Sequence, residues 1–179
     1  AGARGIRINL VDKGGMPFES LASVEHMGHR IKAFGWHIEV LIHVSEFPDL
    51  RPTLSAMPVD VVVGHLGYMP TAQGLDNPGF QDFLALLRDG RCWVKLTGPY
   101  RITGLETTPY TDVAPFAHVL IDAAPNRILW GTDWPHPTLF NKPMPNDGDL
   151  LDHLAEWAPD GQVRNRILVD NPAALYGFD

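Results

Sequence analysis

Polar and ionisable side chains follow a series of short apolar runs, at the point where each run ends. His43 ends Val-Leu-Ile-His, His65 follows Val-Val-Val-Gly, and Asp133 follows Leu-Trp-Gly-Thr. Because an unpaired imidazole or carboxylate is costly to bury, such groups at successive strand ends indicate a site that uses them to move protons. Taken singly, each also has a structural interpretation: a hydrogen-bonded histidine at a strand terminus, or a turn aspartate before proline.

Two arginines extend this candidate site. Arg7 lies near the end of the first apolar run, and Arg101 lies in the loop after the fourth. A guanidinium binds a carboxylate with two parallel hydrogen bonds, so these residues are predicted to hold substrate carboxylates, with an exposed surface arginine as the alternative. The predicted substrate-binding residues are Arg7, Arg101, His43, Tyr100 and His136.

Short β-branched runs that alternate with amphipathic stretches would position these residues. Val61-Val62-Val63 is continuously apolar, as in a strand buried on both faces of a parallel sheet. The predicted strands are Gly5–Leu10, His37–Val44, Val59–His65, Cys92–Leu96 and Arg127–Trp130. The predicted helices are Phe18–Phe34, Phe80–Leu87, Asp112–Ala124, Asp149–Trp157 and Gln162–Leu168, with a last helical turn opening at Asn171.

This repeated strand–helix pattern predicts an α/β fold with a parallel sheet. The loops that precede strands are short, whereas those that follow strands are long and carry Pro, Gly, Tyr, His and Asp. Ligand sites in α/β folds lie beyond the carboxyl ends of the strands. The long loops therefore predict the functional face.

Composition narrows the function classes. The chain has 179 residues, 45% of them hydrophobic, a formal net charge of −7 and one cysteine, Cys92. A single cysteine excludes an internal disulfide and favours a reducing, cytoplasmic location. The acidic balance with scattered basic residues argues against a nucleic-acid partner, and no apolar run approaches the roughly 20 residues of a bilayer span. We expect neither nucleic acid nor membrane as a partner.

Four segments carry a family resemblance. They are Gly-Ala-Arg-Gly-Ile-Arg-Ile-Asn at 2–9, Gly-His-Leu-Gly at 64–67, Trp-Val-Lys-Leu-Thr-Gly-Pro-Tyr-Arg at 93–101 and Leu-Trp-Gly-Thr-Asp-Trp-Pro-His-Pro at 129–137. Together they resemble the amidohydrolase superfamily, of the amidohydrolase-2 type, and within it the branch that contains 2-pyrone-4,6-dicarboxylate and sugar lactonases.

The resemblance implies a (β/α)₈ TIM barrel whose catalytic aspartate ends the eighth strand. Matching that residue to Asp133 makes this chain, residues 1–179, the C-terminal portion of one barrel domain, strands 4 to 8 with their helices. Five units in 179 residues average about 36 each, so eight would need about 290, near the usual barrel size. The chain has no initiator Met and no His-x-His pair of a first strand. We expect that sequence upstream of Ala1, or in another chain.

The resemblance also implies a reaction. Asp133 would act as the general base on water, and His65 would polarise the carbonyl of a lactone that carries carboxylates, such as 2-pyrone-4,6-dicarboxylate, in aromatic catabolism. It implies either no required cofactor or one divalent metal, zinc, with His65, Asp133 and His43 as candidate ligands. A homo-oligomer is the expected assembly.

Three alternatives remain at this point. One is a metal-dependent decarboxylase of the same superfamily, which zinc stoichiometry and CO₂ release would identify. Another is a non-catalytic binding module with a flavodoxin-like doubly wound sheet, which also uses five βα units. The third is a fragment that is inactive alone.

Overall fold

A computed structural model of the chain describes residues 2–12, 14, 21–137 and 139–178. Its five strands form one sheet, in which every neighbouring pair runs parallel. The predicted α/β fold with a parallel sheet is confirmed. The strands are β1 (Gly5–Asn9), β2 (His37–Leu41), β3 (Val61–Val63), β4 (Cys92–Leu96) and β5 (Ile128–Trp130).

The spatial order of the strands is their order in the chain, β1-β2-β3-β4-β5. A flavodoxin-like sheet has the order 2-1-3-4-5, because its chain reverses direction after the first unit and places helices on both faces. The flavodoxin-like alternative is therefore wrong. A sheet that winds in one direction brings the loops after all five strands to one edge.

Helices follow each strand, and their bounds differ from the prediction in detail. Residues 18–20 of the predicted first helix lie outside the described residues. Residues 166–170 form a π-helical turn that overlaps the end of the predicted Gln162–Leu168 helix and extends beyond it. The helices are α1 (Leu21–Lys32), α2 (Leu50–Ala56), α3 (Pro78–Arg88), α4 (Ala114–Ala123), α5 (Asp147–Trp157), α6 (Gly161–Asn165) and α7 (Asn171–Tyr176).

The sequence analysis missed α2. This helix has seven residues, carries Pro52, and buries only Leu50 and Leu54 against its neighbours. Two apolar positions are too few to establish a helical period. Leu50 and Leu54 both belong to the core cluster, so tertiary packing rather than a local sequence pattern determines this segment.

Helix α3 shows how the predicted periodicity builds the core. The Asn77 side chain accepts hydrogen bonds from the backbone N–H groups of Gly79 and Phe80 and begins the helix. Phe80 and Phe83 are both fully buried, in the core cluster that also contains Val63 of β3. Burying a side chain of this size stabilises the fold by about 2–3 kcal/mol.

The opposite face of the sheet carries a second, smaller cluster. Val62, Trp93 and Leu129 are buried there, and Leu175 and Tyr176 of the C-terminal helical region pack against them. The three buried residues lie on β3, β4 and β5, the strands whose carboxyl ends lead to the candidate site.

No helix among the described residues is both long enough and apolar enough to cross a bilayer. The cytoplasmic location and the homo-oligomer remain predictions.

Candidate active site

A pocket of about 300 Å³ lies where the predicted functional face was expected, beyond the carboxyl ends of the strands. It receives side chains from the segments after β1, β3, β4 and β5. Four of the predicted site residues meet in it, although they are far apart in the chain. The pocket is lined by Arg7, Asn9, Asp12, Leu41, His65, Tyr68, Arg101, Asp133, Trp134, Pro135 and Pro137.

The backbone at this edge adopts uncommon conformations. Among the described residues, seven non-glycine residues have positive φ angles, and five of these lie in the segments just after β3 and β5. Left-handed backbone is unfavourable for most L-residues and is concentrated at functional sites, where the surrounding structure enforces it. These five residues are His65, Leu66, Tyr68, Asp133 and His136.

Asp133 is held by one of its two carboxylate oxygens. Its Oδ2 accepts hydrogen bonds from the Tyr100 hydroxyl at 2.5 Å and from Nε of Arg101 at 2.6 Å. Its Oδ1 lies 3.9 Å from Nε2 of His65. The carboxylate is therefore fixed in orientation, with one oxygen directed toward the imidazole.

Each side-chain nitrogen of Arg101 donates a hydrogen bond to another part of the chain. Besides the bond to Asp133, Nη1 donates to the Tyr68 hydroxyl at 3.0 Å and Nη2 donates to the carbonyl oxygen of Pro137 at 3.2 Å. Burial alone would lower the pKa of Arg101, but the hydrogen bond and negative charge of Asp133 outweigh it and raise the pKa. This guanidinium is a permanent positive charge beside the carboxylate.

His65 is buried at the base of the pocket. Its Nδ1 lies 2.8 Å from Oγ1 of Thr97 and 3.3 Å from the Thr97 carbonyl oxygen. Burial is the main cause that lowers the pKa of His65 to about 4, and the positive charge of Arg101 adds to it against the opposing charge of Asp133. Near neutral pH, His65 is an uncharged imidazole facing a carboxylate.

Arg7 is the more accessible of the two arginines. Its side chain is 55% exposed, and Nε lies 3.7 Å from Glu39. Glu39 is more tightly paired with Nζ of Lys95, at 2.6 Å. Arg7 can therefore turn toward an anion in the pocket at little cost to its existing contacts.

Three predicted substrate-binding residues do not line the pocket. His43 directs Nδ1 to the carbonyl oxygen of Tyr68 at 3.0 Å. Tyr100 and His136 pack edge to face behind Asp133, and Tyr100 lines a separate pocket of about 390 Å³. The substrate-binding roles of these three remain predictions, and the contacts give each of them a partner within the chain.

Tyr68 and Thr97 hold the site's side chains in place and were absent from the predicted set. Tyr68 lies three positions after His65 and contacts both His65 and Arg101. Thr97 follows β4 and orients His65. Position at a strand end was a signal for Thr97, whereas Tyr68 reaches the pocket only because a tight turn follows β3.

The predicted metal ligands do not come together as a group of three among the described residues. His65 and Asp133 approach each other, but the described residues contain no group of three or more His, Cys, Asp or Glu side chains that could hold a metal ion. His43 does not join that pair. The described part of this chain therefore does not supply a complete ligand set for a metal ion.

A parallel βα sheet that carries a carboxylate, an imidazole and a guanidinium at its carboxyl edge is typical of an α/β enzyme. Residues 1–178 match the model of the Amidohydrolase family, and the chain belongs to this family. The predicted superfamily is confirmed.

Several proteins are similar to this chain in sequence or in structure. The chain is 37% identical to 2-pyrone-4,6-dicarboxylate hydrolase of Comamonas testosteroni over 98% of this chain and 60% of that protein. It is 37% identical to 4-sulfomuconolactone hydrolase of Hydrogenophaga intermedia, over 98% of this chain and 58% of the relative. A crystal structure of an Agrobacterium tumefaciens protein superposes with a TM-score of 0.82 at 30% identity, covering 97% of this chain and 61% of that one. The chain thus spans about 60% of the length of these relatives.

Proposed function

We propose that this chain is the C-terminal five units of a (β/α)₈ barrel hydrolase that opens the lactone ring of a carboxylated small molecule. The sequential parallel sheet supports the barrel, since adding three units between its two open edges would close it. The lactone hydrolases among the relatives support the reaction class and favour it over the decarboxylase alternative.

The orientation of the Asp133 carboxylate is the main observation that supports the proposal. Tyr100 and Arg101 occupy Oδ2, so Oδ1 is the oxygen that can accept a proton from water. Oδ1 and Nε2 of His65 are 3.9 Å apart, beyond direct hydrogen-bond distance, so Nε2 stays available to the lactone carbonyl while Oδ1 accepts from the water. Asp133 acts in this scheme as the general base, with a contribution to the rate of about 10²–10⁴-fold.

His65 serves as a neutral hydrogen-bond donor to the lactone carbonyl. The proposal places the ring hydrogen on Nε2, with the Thr97 hydroxyl donating to Nδ1 across their 2.8 Å contact. A neutral imidazole can polarise a carbonyl without neutralising the adjacent base. The lowered pKa of His65, about 4, keeps the ring in this form near neutral pH.

Arg7 binds a substrate carboxylate in this proposal. Its side chain is accessible in the pocket and only weakly paired. Arg101, predicted from the sequence for the same role, instead orients Asp133 through the 2.6 Å bond. In this proposal Arg7 binds the substrate and Arg101 orients the base.

Replacing Asp133 with Asn in the natural full-length protein tests the assignment. Asn also tolerates the left-handed backbone at this position, so the variant should fold. We expect kcat for ring opening of 2-pyrone-4,6-dicarboxylate, followed by loss of the pyrone's ultraviolet absorbance, to fall about 10²-fold or more.

Asp152→Asn is the matched control, because Asp152 is exposed on α5 and lies outside the pocket. It should retain the activity of the unmodified protein. Full activity of the Asp133→Asn variant would refute the role of Asp133 as the base.

A further inference from the structure

A line of polar contacts runs from α5 to Asp133 behind the pocket. Oδ1 of Asp147, in the first turn of α5, lies 3.0 Å from Nε2 of His136. Nδ1 of His136 lies 3.4 Å from the Tyr100 hydroxyl, which donates to Asp133 at 2.5 Å. We propose that Asp147 and His136 are positioning residues, which hold Tyr100 so that Oδ1 of the base stays directed at the reacting water.

This inference rests on the proposed function, because it needs Asp133 to act as the base. Neither His136 nor Asp147 lines the pocket, so both act through Tyr100 rather than on the substrate. The His136 side chain is 2% exposed, whereas Asp147 is 45% exposed. The contacts therefore connect a surface helix to the buried side of the site.

The contacts define a role for each atom. The Tyr100 hydroxyl has one hydrogen, and its shorter contact shows that this hydrogen lies toward Asp133. The Asp147 carboxylate accepts only, so Nε2 of His136 must carry the hydrogen between them. That hydrogen fixes the orientation of the imidazole. With the Tyr100 hydrogen toward Asp133 and the imidazole hydrogen on Nε2, no hydrogen lies between Nδ1 and the Tyr100 oxygen, so His136 positions Tyr100 through ring packing, with centroids 5.6 Å apart.

The local backbone reinforces this arrangement. The His136 N–H donates to the carbonyl oxygen of Asp133 at 2.8 Å, so the two residues belong to one tight turn. Asn146 begins α5 by accepting a hydrogen bond from Gly148, which sets the position of Asp147. Backbone and side-chain contacts together thus connect Asp133, Tyr100 and Asp147.

The decisive experiment is a double-mutant cycle in the natural full-length protein. Asp147→Ala should lower kcat about tenfold and leave KM within about twofold, the pattern for an orienting partner that does not bind substrate. Asp147→Asn, whose amide oxygen can still accept from Nε2, should restore most of the lost kcat. Asp147→Ala should have no further effect in a Tyr100→Phe background, because its action requires the hydroxyl.

Glu156 offers a matched control on the same helix. It lies 3.8 Å from Nδ1 of the buried His153, in a carboxylate–imidazole pair remote from Tyr100 and Asp133. Glu156→Ala should leave kcat unchanged. Thermal unfolding of every variant separates a loss of stability from a loss of orientation.

A measurement without substrate separates this inference from the proposed function. The ¹⁵N chemical shifts of His136 should show a hydrogen on Nε2 in the unmodified protein, and the Nε2 signal should move in Asp147→Ala. A bare Nε2, an unchanged kcat in Asp147→Ala, or kcat effects of Asp147→Ala and Tyr100→Phe that multiply would overturn the proposal. If the unmodified protein opens no lactone, the proposed function fails, while the ¹⁵N result still decides the contact between Asp147 and His136.

Discussion

The buried imidazole of His65 makes the stability of the fold depend on pH in a specific way. The pKa of His65 is lowered from 6.5 to about 4 in the folded chain, chiefly by burial. In the unfolded chain the same ring takes up a proton near pH 6.5. Below pH 6.5 this ring binds a proton in the unfolded chain but not in the folded chain, which favours unfolding. The contribution of His65 to the free energy of unfolding is therefore fully present above pH 6.5 and is lost as the pH decreases toward 4.

The size of this effect follows from the two pKa values of His65. At pH 5 the unfolded ring is almost fully protonated and the folded ring is about one-tenth protonated. The difference lowers the free energy of unfolding by about 2 kcal/mol relative to pH 8. The side chain is 5% exposed, so solvent screening reduces the effect little.

His65→Asn tests this dependence, because asparagine does not titrate and tolerates the left-handed backbone at this position. Urea unfolding between pH 5 and pH 8 should give a steeper loss of stability for the unmodified protein than for the variant, by about 2 kcal/mol across that range. His118→Gln is the control, since His118 is exposed on α4. Equal slopes for the unmodified protein and His65→Asn would refute the assignment of a buried, neutral imidazole.

Two further predictions concern substrate binding and loop stability. Arg7→Met should raise KM for a carboxylated lactone about tenfold with little change in kcat, because the charged bond forms in both ground and transition states; an unchanged KM in steady-state kinetics would contradict this. Asp112 accepts hydrogen bonds from Thr71 at 2.6 Å, Thr103 at 2.5 Å and the Gly104 N–H at 2.8 Å. Asp112→Asn should therefore lower the urea-unfolding free energy by about 2 kcal/mol, and equal stability would show that these bonds do not tie the two loops together.

The pattern of apolar residues was enough to predict the sheet and most of the helices. β4 has the predicted bounds, and α3 extends the predicted Phe80–Leu87 segment by a few residues. Such segments are predictable because strand and helix periods are local properties of the sequence. The predicted third strand, Val59–His65, covers only Val61–Val63 in the structure, and the left-handed backbone at His65 accounts for its earlier end.

The candidate site was predictable in part. Position at a strand end identified His65 and Asp133, because parallel strands bring their carboxyl ends to one edge of the sheet. The same rule could not separate residues on the pocket from those behind it. Tyr100 and His136 do not line the pocket, and the substrate-binding roles predicted for them stay predictions.

By itself, the sequence determined the class of fold, the edge of the sheet that carries the candidate site, and the family to which the chain belongs. Only the tertiary structure decided how the charges are paired. Arg101 donates a hydrogen bond to Asp133. Asp147, which belongs to no sequence motif, contacts His136. Strand positions follow from local periodicity, whereas hydrogen-bond partners depend on side-chain directions that are fixed only when distant segments pack together.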